Sequence, residues 1–175
     1  MDYAVVLYFD AVTEERFFEI IKAIAESQGE SYMLDKKIPP HITISFFRTE
    51  KIDEIISLLD KHYLDFTTGN IYWATLGTFI PEVLFAAPVL NEYLLNACIS
   101  AKQLIGNFVD FNAFYLPYQW VPHTTLATKL NQIELNKAFD IATRKFTAFG
   151  GNSDRIVLAE CNPYKEVKIW NLGIV

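Results

Sequence analysis

Histidine is scarce in this chain, with three in 175 residues. Cysteine is scarcer: Cys98 and Cys161 stand far apart and outside any Cys-x-x-Cys spacing. That excludes a disulfide framework and a cysteine-built zinc site, and it suits reduced core thiols, with one disulfide as the alternative. Positive charge is thin as well. Fifteen Lys and Arg face 21 Asp and Glu, for a net charge of −6, and no basic run exceeds Lys36-Lys37 or Arg144-Lys145. Proteins that track many phosphates draw most of that affinity from counterion release at a basic surface. An extended nucleic-acid footprint is therefore excluded, whereas a nucleotide or an RNA end, which needs one or two cations, is not. No apolar run reaches the roughly 20 residues of a membrane span. Met1-Asp2-Tyr3 opens without the basic stretch of a secretory signal. The expectation is a cytoplasmic monomer with no membrane partner.

What the chain does have is apolar surface to bury: 51% of residues are hydrophobic and 15% aromatic, enough for one core over residues 1–175. Tyr3 to Phe9 reads as a strand apolar on both faces, hence central. Thr13 reads as the N-cap of a helix carrying Phe17, Ile20, Ile21 and Ile24, which Gly29 ends. A loop over residues 30–38 leads into a strand at His41. The next helix buries Ile52, Ile55, Ile56 and Leu59, with His62 solvated at its end. Residues 71–76 and 83–86 form a hairpin around Ile80-Pro81-Glu82. Pro88 opens a helix that Gly106 ends, residues 108–116 form a strand, and residues 117–120 a loop. Asn131 caps a helix in a capping box with Glu134. Closing strands follow at 146–149, 155–161 and 167–174, with Gly150-Gly151-Asn152-Ser153 as a turn. The pattern is α+β with antiparallel sheet.

Two of the three histidines fall in one repeated context, Pro39-Pro40-His41-Ile42-Thr43 and Val121-Pro122-His123-Thr124-Thr125, nearly half the chain apart. Side chains two apart on a strand share a face. That puts His41, Thr43, Ser45 and Phe47 together, and His123, Thr125, Ala127 and Lys129 together. A single strand histidine is commonly structural; two in matched Pro-His-x-Thr settings point to a shared site.

The paired motifs PPHITISFF and VPHTTLATK resemble those of the 2H phosphoesterase superfamily, in particular its bacterial 2′-5′ RNA ligase and cyclic phosphodiesterase branch. The resemblance implies two similar lobes of antiparallel sheet with outer helices, related by a pseudo-twofold axis around a central groove, without clean correspondence between lobes and chain halves. It implies His41, Thr43, His123 and Thr125 as catalytic residues. One imidazole serves as acid and the other as base, while the hydroxyls hold the phosphoryl oxygens. The assignment leans towards His41 as acid. Many relatives carry an arginine shortly after the second motif; here the nearest cation is Lys129, in phase with His123 as a phosphate contact or else a solvated lysine at a strand end. Arg48 is out of phase with His41. Tyr118, Trp120, Phe47 and Tyr115 are candidates to stack on a base.

Three functions are compatible with these residues. The first is a metal-independent phosphodiesterase acting on a 2′,3′-cyclic phosphate or a 2′-5′ linkage at an RNA or nucleotide end, with ligation as its reverse and no cofactor. The second is a non-catalytic nucleotide- or RNA-end-binding module, for which an acid and a base together are superfluous. The third is a metal hydrolase, which wants further ligands at short spacing that neither motif supplies.

Overall fold

Strand β1 (Asp2–Phe9) has both faces buried and both edges paired, as its uniformly apolar sequence predicts. The computed structural model describes residues 1–28 and 32–173. After β1 come α1 (Ala11–Gln28), α2 (Tyr32–Asp35), β2 (His41–Arg48), α3 (Ile52–Tyr63) and β3 (Gly69–Phe79). Strand β4 (Val83–Pro88), α4 (Glu92–Ile105), the short strand β5 (Asp110–Phe111) and a 3₁₀ turn at Ala113–Tyr115 follow. The chain closes with β6 (Thr124–Ala127), α5 (Gln132–Lys145), β7 (Phe149–Cys161) and β8 (Tyr164–Asn171). Among the described residues no helix is long and apolar enough to cross a membrane.

The strands join in one antiparallel sheet in the order β1-β2-β6-β4-β3-β7-β8, and β1 also pairs with β7. Two matching layers emerge, β2-β1-β7-β8 and β6-β4-β3-β7, each with its histidine strand at one side. They meet where Ile42 pairs with Thr124. The order strand, helix, short helix, histidine strand, helix, strand occurs twice, as β1-α1-α2-β2-α3-β3 and, with the two-residue β5 inserted after α4, as β4-α4-3₁₀-β6-α5-β7. The third strand of each repeat crosses over: β3 pairs with β4, and β7 with β1. This exchange is why the two lobes do not coincide with the two halves of the chain.

Alternate residues of β1 divide the interior. Tyr3, Val5, Leu7 and Phe9 pack into the main core under the helices. Ala4, Val6 and Tyr8 face the other way and form a smaller cluster with Val157, Ala159 and Phe46.

Several local features depart from the sequence reading. The cap of α1 is Asp10, whose Oδ1 accepts from the Thr13 N–H at 2.8 Å, while Thr13 itself is buried. Gly29 lies outside the described residues, and α2 occupies part of the expected loop. Pro88 ends β4, and Asn91 caps α4 by accepting from the Leu94 N–H at 2.9 Å. Residues 108–116 yield only a two-residue strand and a 3₁₀ turn, because the Asn112 side chain turns the chain by accepting from the Phe114 N–H. Residues 150–153 are no turn: they run inside β7, where Gly150 to Ser153 pair with β3. Gly151 among them admits the first turn of α1. The capping box of α5 is present as expected. His62 is half-buried, with Nε2 shut off from solvent and its ring against Tyr63 and Phe66, so it is not the solvated residue expected.

A Cβ at Gly151 would sit 2.2 Å from Thr13 Oγ1 and 2.8 Å from its Cγ2. Gly151→Ala is therefore expected to lower unfolding stability by about 1–3 kcal/mol, the usual range for an overpacked site, read as a lower urea midpoint with unchanged slope. An unaltered midpoint would show that α1 can move off the sheet freely.

Candidate active site

Each histidine is fixed by the peptide geometry that its proline imposes. His41 Nδ1 lies 2.8 Å from the Pro39 carbonyl, and His123 Nδ1 lies 2.8 Å from the Val121 carbonyl. A carbonyl only accepts, so both rings carry their proton on Nδ1 when neutral, and Nε2 is left as the working atom. The intervening residue is Pro40 in one case and Pro122 in the other, each with a locked φ and no N–H to compete for the carbonyl. The two ties are equivalent.

Both rings line one groove of about 670 Å³, together with Thr43 and Thr125. Val6 pairs with Thr43 and Tyr8 with His41, so the floor of that side is the inner face of β1. On the other side Phe85 pairs with Thr125. Thr124 points away from the groove, where its Oγ1 accepts from the Trp73 indole N–H at 3.1 Å in the core.

The residues after the motifs do not keep strict alternation. The β1–β2 register steps from Val5–Ser45 to Val6–Thr43, leaving Ile44 as an extra residue. The β4–β6 register steps from Leu84–Ala127 to Phe85–Thr125, leaving Leu126 as its counterpart. Each histidine strand thus bulges one residue past its threonine, and side chains beyond the bulge change face. Phe46 and Thr128 line the groove. Phe47 is instead 1% exposed, packed in the core against Tyr3 and Phe111. Lys129 is likewise out of phase: it has φ 60°, is absent from the groove lining, and rests its Nζ 4.0 Å from the Tyr32 ring centroid.

Of the other aromatics, Trp120 lines the groove and Tyr118 does not; Tyr118 is 81% exposed with φ 66°. Tyr115 lines the groove stacked on Phe46, with centroids 5.9 Å apart. Tyr164, which no motif marked, lines it beside His41. Among the described residues lining the groove there is no Lys, Arg, Asp or Glu. Nor does any group of three or more His, Cys, Asp or Glu among the described residues gather closely enough to hold a metal ion. Both cysteines are free thiols, and burial pushes Cys161, at the groove wall, up to about 11.

This uncharged setting acts on the imidazoles. Burial is the main force lowering His41 from its ordinary 6.5 to about 4; the Pro39 carbonyl opposes it, and the nearby His123 adds to it. Burial also lowers His123, against the Val121 carbonyl.

No family model matches the chain, and no curated protein matches its sequence. Solved structures do match its architecture. The Thermus thermophilus protein TT0787 superposes with TM-score 0.63 at 17% identity over 98% of each chain. A structure described as a phosphoesterase gives TM-score 0.59 at 12% identity over 97% of each. The chain has the fold of these structures. Escherichia coli LigT, solved with 3′-AMP, shares it with TM-score 0.58 at 12% identity over 97% of each chain.

At neutral pH, ¹⁵N spectra are expected to show His41 and His123 as Nδ1–H tautomers; Nε2–H signals would contradict the carbonyl ties. The lowered His41 also sets a stability window. Its neutral form belongs to the folded state, so its contribution is complete above about 6.5 and is lost as pH falls towards about 4. His41→Gln should flatten that part of the stability–pH curve.

Proposed function

We propose that this protein is a phosphodiesterase acting on small or terminal phosphodiesters, of the kind found in a 2′,3′-cyclic phosphate or a 2′-5′ linkage of a nucleotide or RNA end. The observation that carries the reading is the pair of half-buried imidazoles in one groove. Each is tied through Nδ1 to a backbone carbonyl, and each stands beside a threonine from the same strand. Such a pair can take a proton from an attacking oxygen and give one to a leaving oxygen, with Thr43 and Thr125 donating to the non-bridging oxygens. Phe46, Tyr115 and Trp120 supply flat surface for a base. LigT, which shares the fold, has been solved with 3′-AMP and with ATP. The chemistry uses the histidines alone and calls for no cofactor.

The environment favours His41 as base and His123 as acid, the reverse of the assignment to which the sequence leans. His41 is the ring held more firmly neutral. A bound phosphate adds the negative charge that draws a proton onto its partner.

The decisive experiment is a panel of cyclic nucleotides, RNA ending in a cyclic phosphate, and 2′-5′ oligonucleotides, assayed with chelator present. Turnover that survives the chelator is expected. His41→Ala and His123→Ala should each lower it by about 10²–10⁴-fold while the far-ultraviolet spectrum is unchanged. Near-full activity in either variant would sink the assignment, and tight binding without turnover in the wild type would favour a pure binding module.

Rate against pH should be bell-shaped, since one ring must be neutral and the other charged, with both apparent constants belonging to the pair. Affinity for RNA should respond to salt as roughly one or two phosphates do, at about 0.7 per phosphate in log–log slope for single strands. A response equivalent to six or more would contradict the uncharged groove.

A further inference from the structure

The two sides of the groove correspond until the rings that flank the imidazoles. His123 lies against Phe79 and Phe85, at 5.0 and 5.2 Å between centroids, and neither side chain has a polar atom. His41 lies against Tyr8 and Tyr164, at 6.4 and 6.2 Å. Those two phenols belong to a hydrogen-bond chain of fixed direction. Tyr8 donates to Glu166 Oε1 at 2.9 Å, and a carboxylate only accepts. A phenol has one hydrogen, so Tyr8 has none left for Tyr164. The hydrogen in the 2.5 Å contact between the two phenol oxygens therefore belongs to Tyr164. Tyr164 lines the groove, yet its only hydrogen is committed to Tyr8, so its oxygen can meet a group in the groove only as an acceptor. Non-bridging phosphoryl oxygens, themselves acceptors, are no partner for it. A group that brings a hydrogen is.

We propose that Tyr164 is a positioning residue for the attacking water, held on the His41 side of the groove. The proposal rests on the phosphodiesterase reading and assigns the nucleophile within it. Water carries two hydrogens into a side of the groove that Thr43 shares with Ala4, Val6, Phe46 and Cys161. His41 Nε2 accepts one and the Tyr164 oxygen the other, which turns the remaining lone pair towards phosphorus. In the step itself the water oxygen bonds to phosphorus and its proton passes to His41 Nε2. The bond from phosphorus to the leaving sugar oxygen breaks, the electron pair going to that oxygen, which takes the proton from protonated His123 Nε2. The product is a phosphomonoester. An alcohol has one hydrogen only, and His41 takes it; Tyr164 gives an alcohol nothing. The arrangement thus favours hydrolysis over transfer to a hydroxyl.

The test is nucleophile partition. A nucleoside 2′,3′-cyclic phosphate is turned over at a fixed methanol concentration, and the ratio of methyl phosphodiester to phosphomonoester is measured. Tyr164→Phe should raise that ratio about three- to tenfold, the worth of one ordinary hydrogen bond, because hydrolysis loses a contact and methanolysis does not. Glu166→Lys acts at an exposed position and removes no ring. An ammonium only donates, so the hydrogen of Tyr8 turns to Tyr164 and that of Tyr164 into the groove; the ratio should rise here too. The ratio is internal to each sample, so a loss of folded protein leaves it unchanged, whereas a purely structural role for Tyr164 would lower both products together. Equal ratios in wild type and both variants would overturn this inference and leave the phosphodiesterase reading standing. No product from the wild type with any substrate of the panel would overturn that reading, and this inference with it.

Discussion

The groove depends on one short contact made twice, the hydrogen bond from each histidine Nδ1 to the carbonyl two residues earlier. It fixes the tautomer, the ring orientation and the atom left for chemistry. It exists because a proline stands between donor and acceptor, holding the backbone in the bend that brings them together. The main core lies on the other side of β1, under the helices, and does not include that contact; without it the fold has no reason to fail. The imidazoles would then be free to rotate, and Nε2 would no longer be aimed. Holding a catalytic group in a productive orientation is worth far more than the single hydrogen bond that does it.

The parts of the fold legible in the sequence are those with local causes. The apolar run of β1, the periodic faces of α1 and α3 and the capping box at Asn131 all appear where the residues place them. The catalytic candidates were legible because repetition is visible without coordinates. The bulges at Ile44 and Leu126 were not. Nothing in ITIS or TTLA announces an extra residue, because a bulge is fixed by the register of the neighbouring strand. Phe47 and Lys129 were misplaced for that one reason, and Phe46 and Thr128 overlooked for the same one. Tyr164 was out of reach of any local reading: it meets His41 only after β7 has returned across β1 and turned into β8. Gly150 to Ser153 misled in the opposite sense, since a glycine that makes room for a helix, as Gly151 does, looks like one that makes a turn.

Charge is distributed in an unusual way for a site proposed to handle phosphate. The two imidazoles are the only ionisable nitrogen groups among the described groove residues, and burial disfavours the charged form of both. In the proposed reaction the substrate anion supplies the potential that protonates one of them. Each further phosphate on a substrate would meet no countercharge inside the groove, and an overall charge of −6 outside it.

The crossing of third strands between the repeats bears on how the chain is made. As the polypeptide leaves the ribosome, β1 and β2 can pair early, but the other edge of β1 waits for residues 153–160, near the far end of the sequence. Strand β3 waits likewise for β4 and for the start of β7. Neither repeat can complete its layer alone, so a truncated product exposes unpaired edges that invite association with other nascent chains. The same dependence joins the two histidines to a single event. Both sides of the groove are closed by one strand, β7, and the site is assembled whole or not at all.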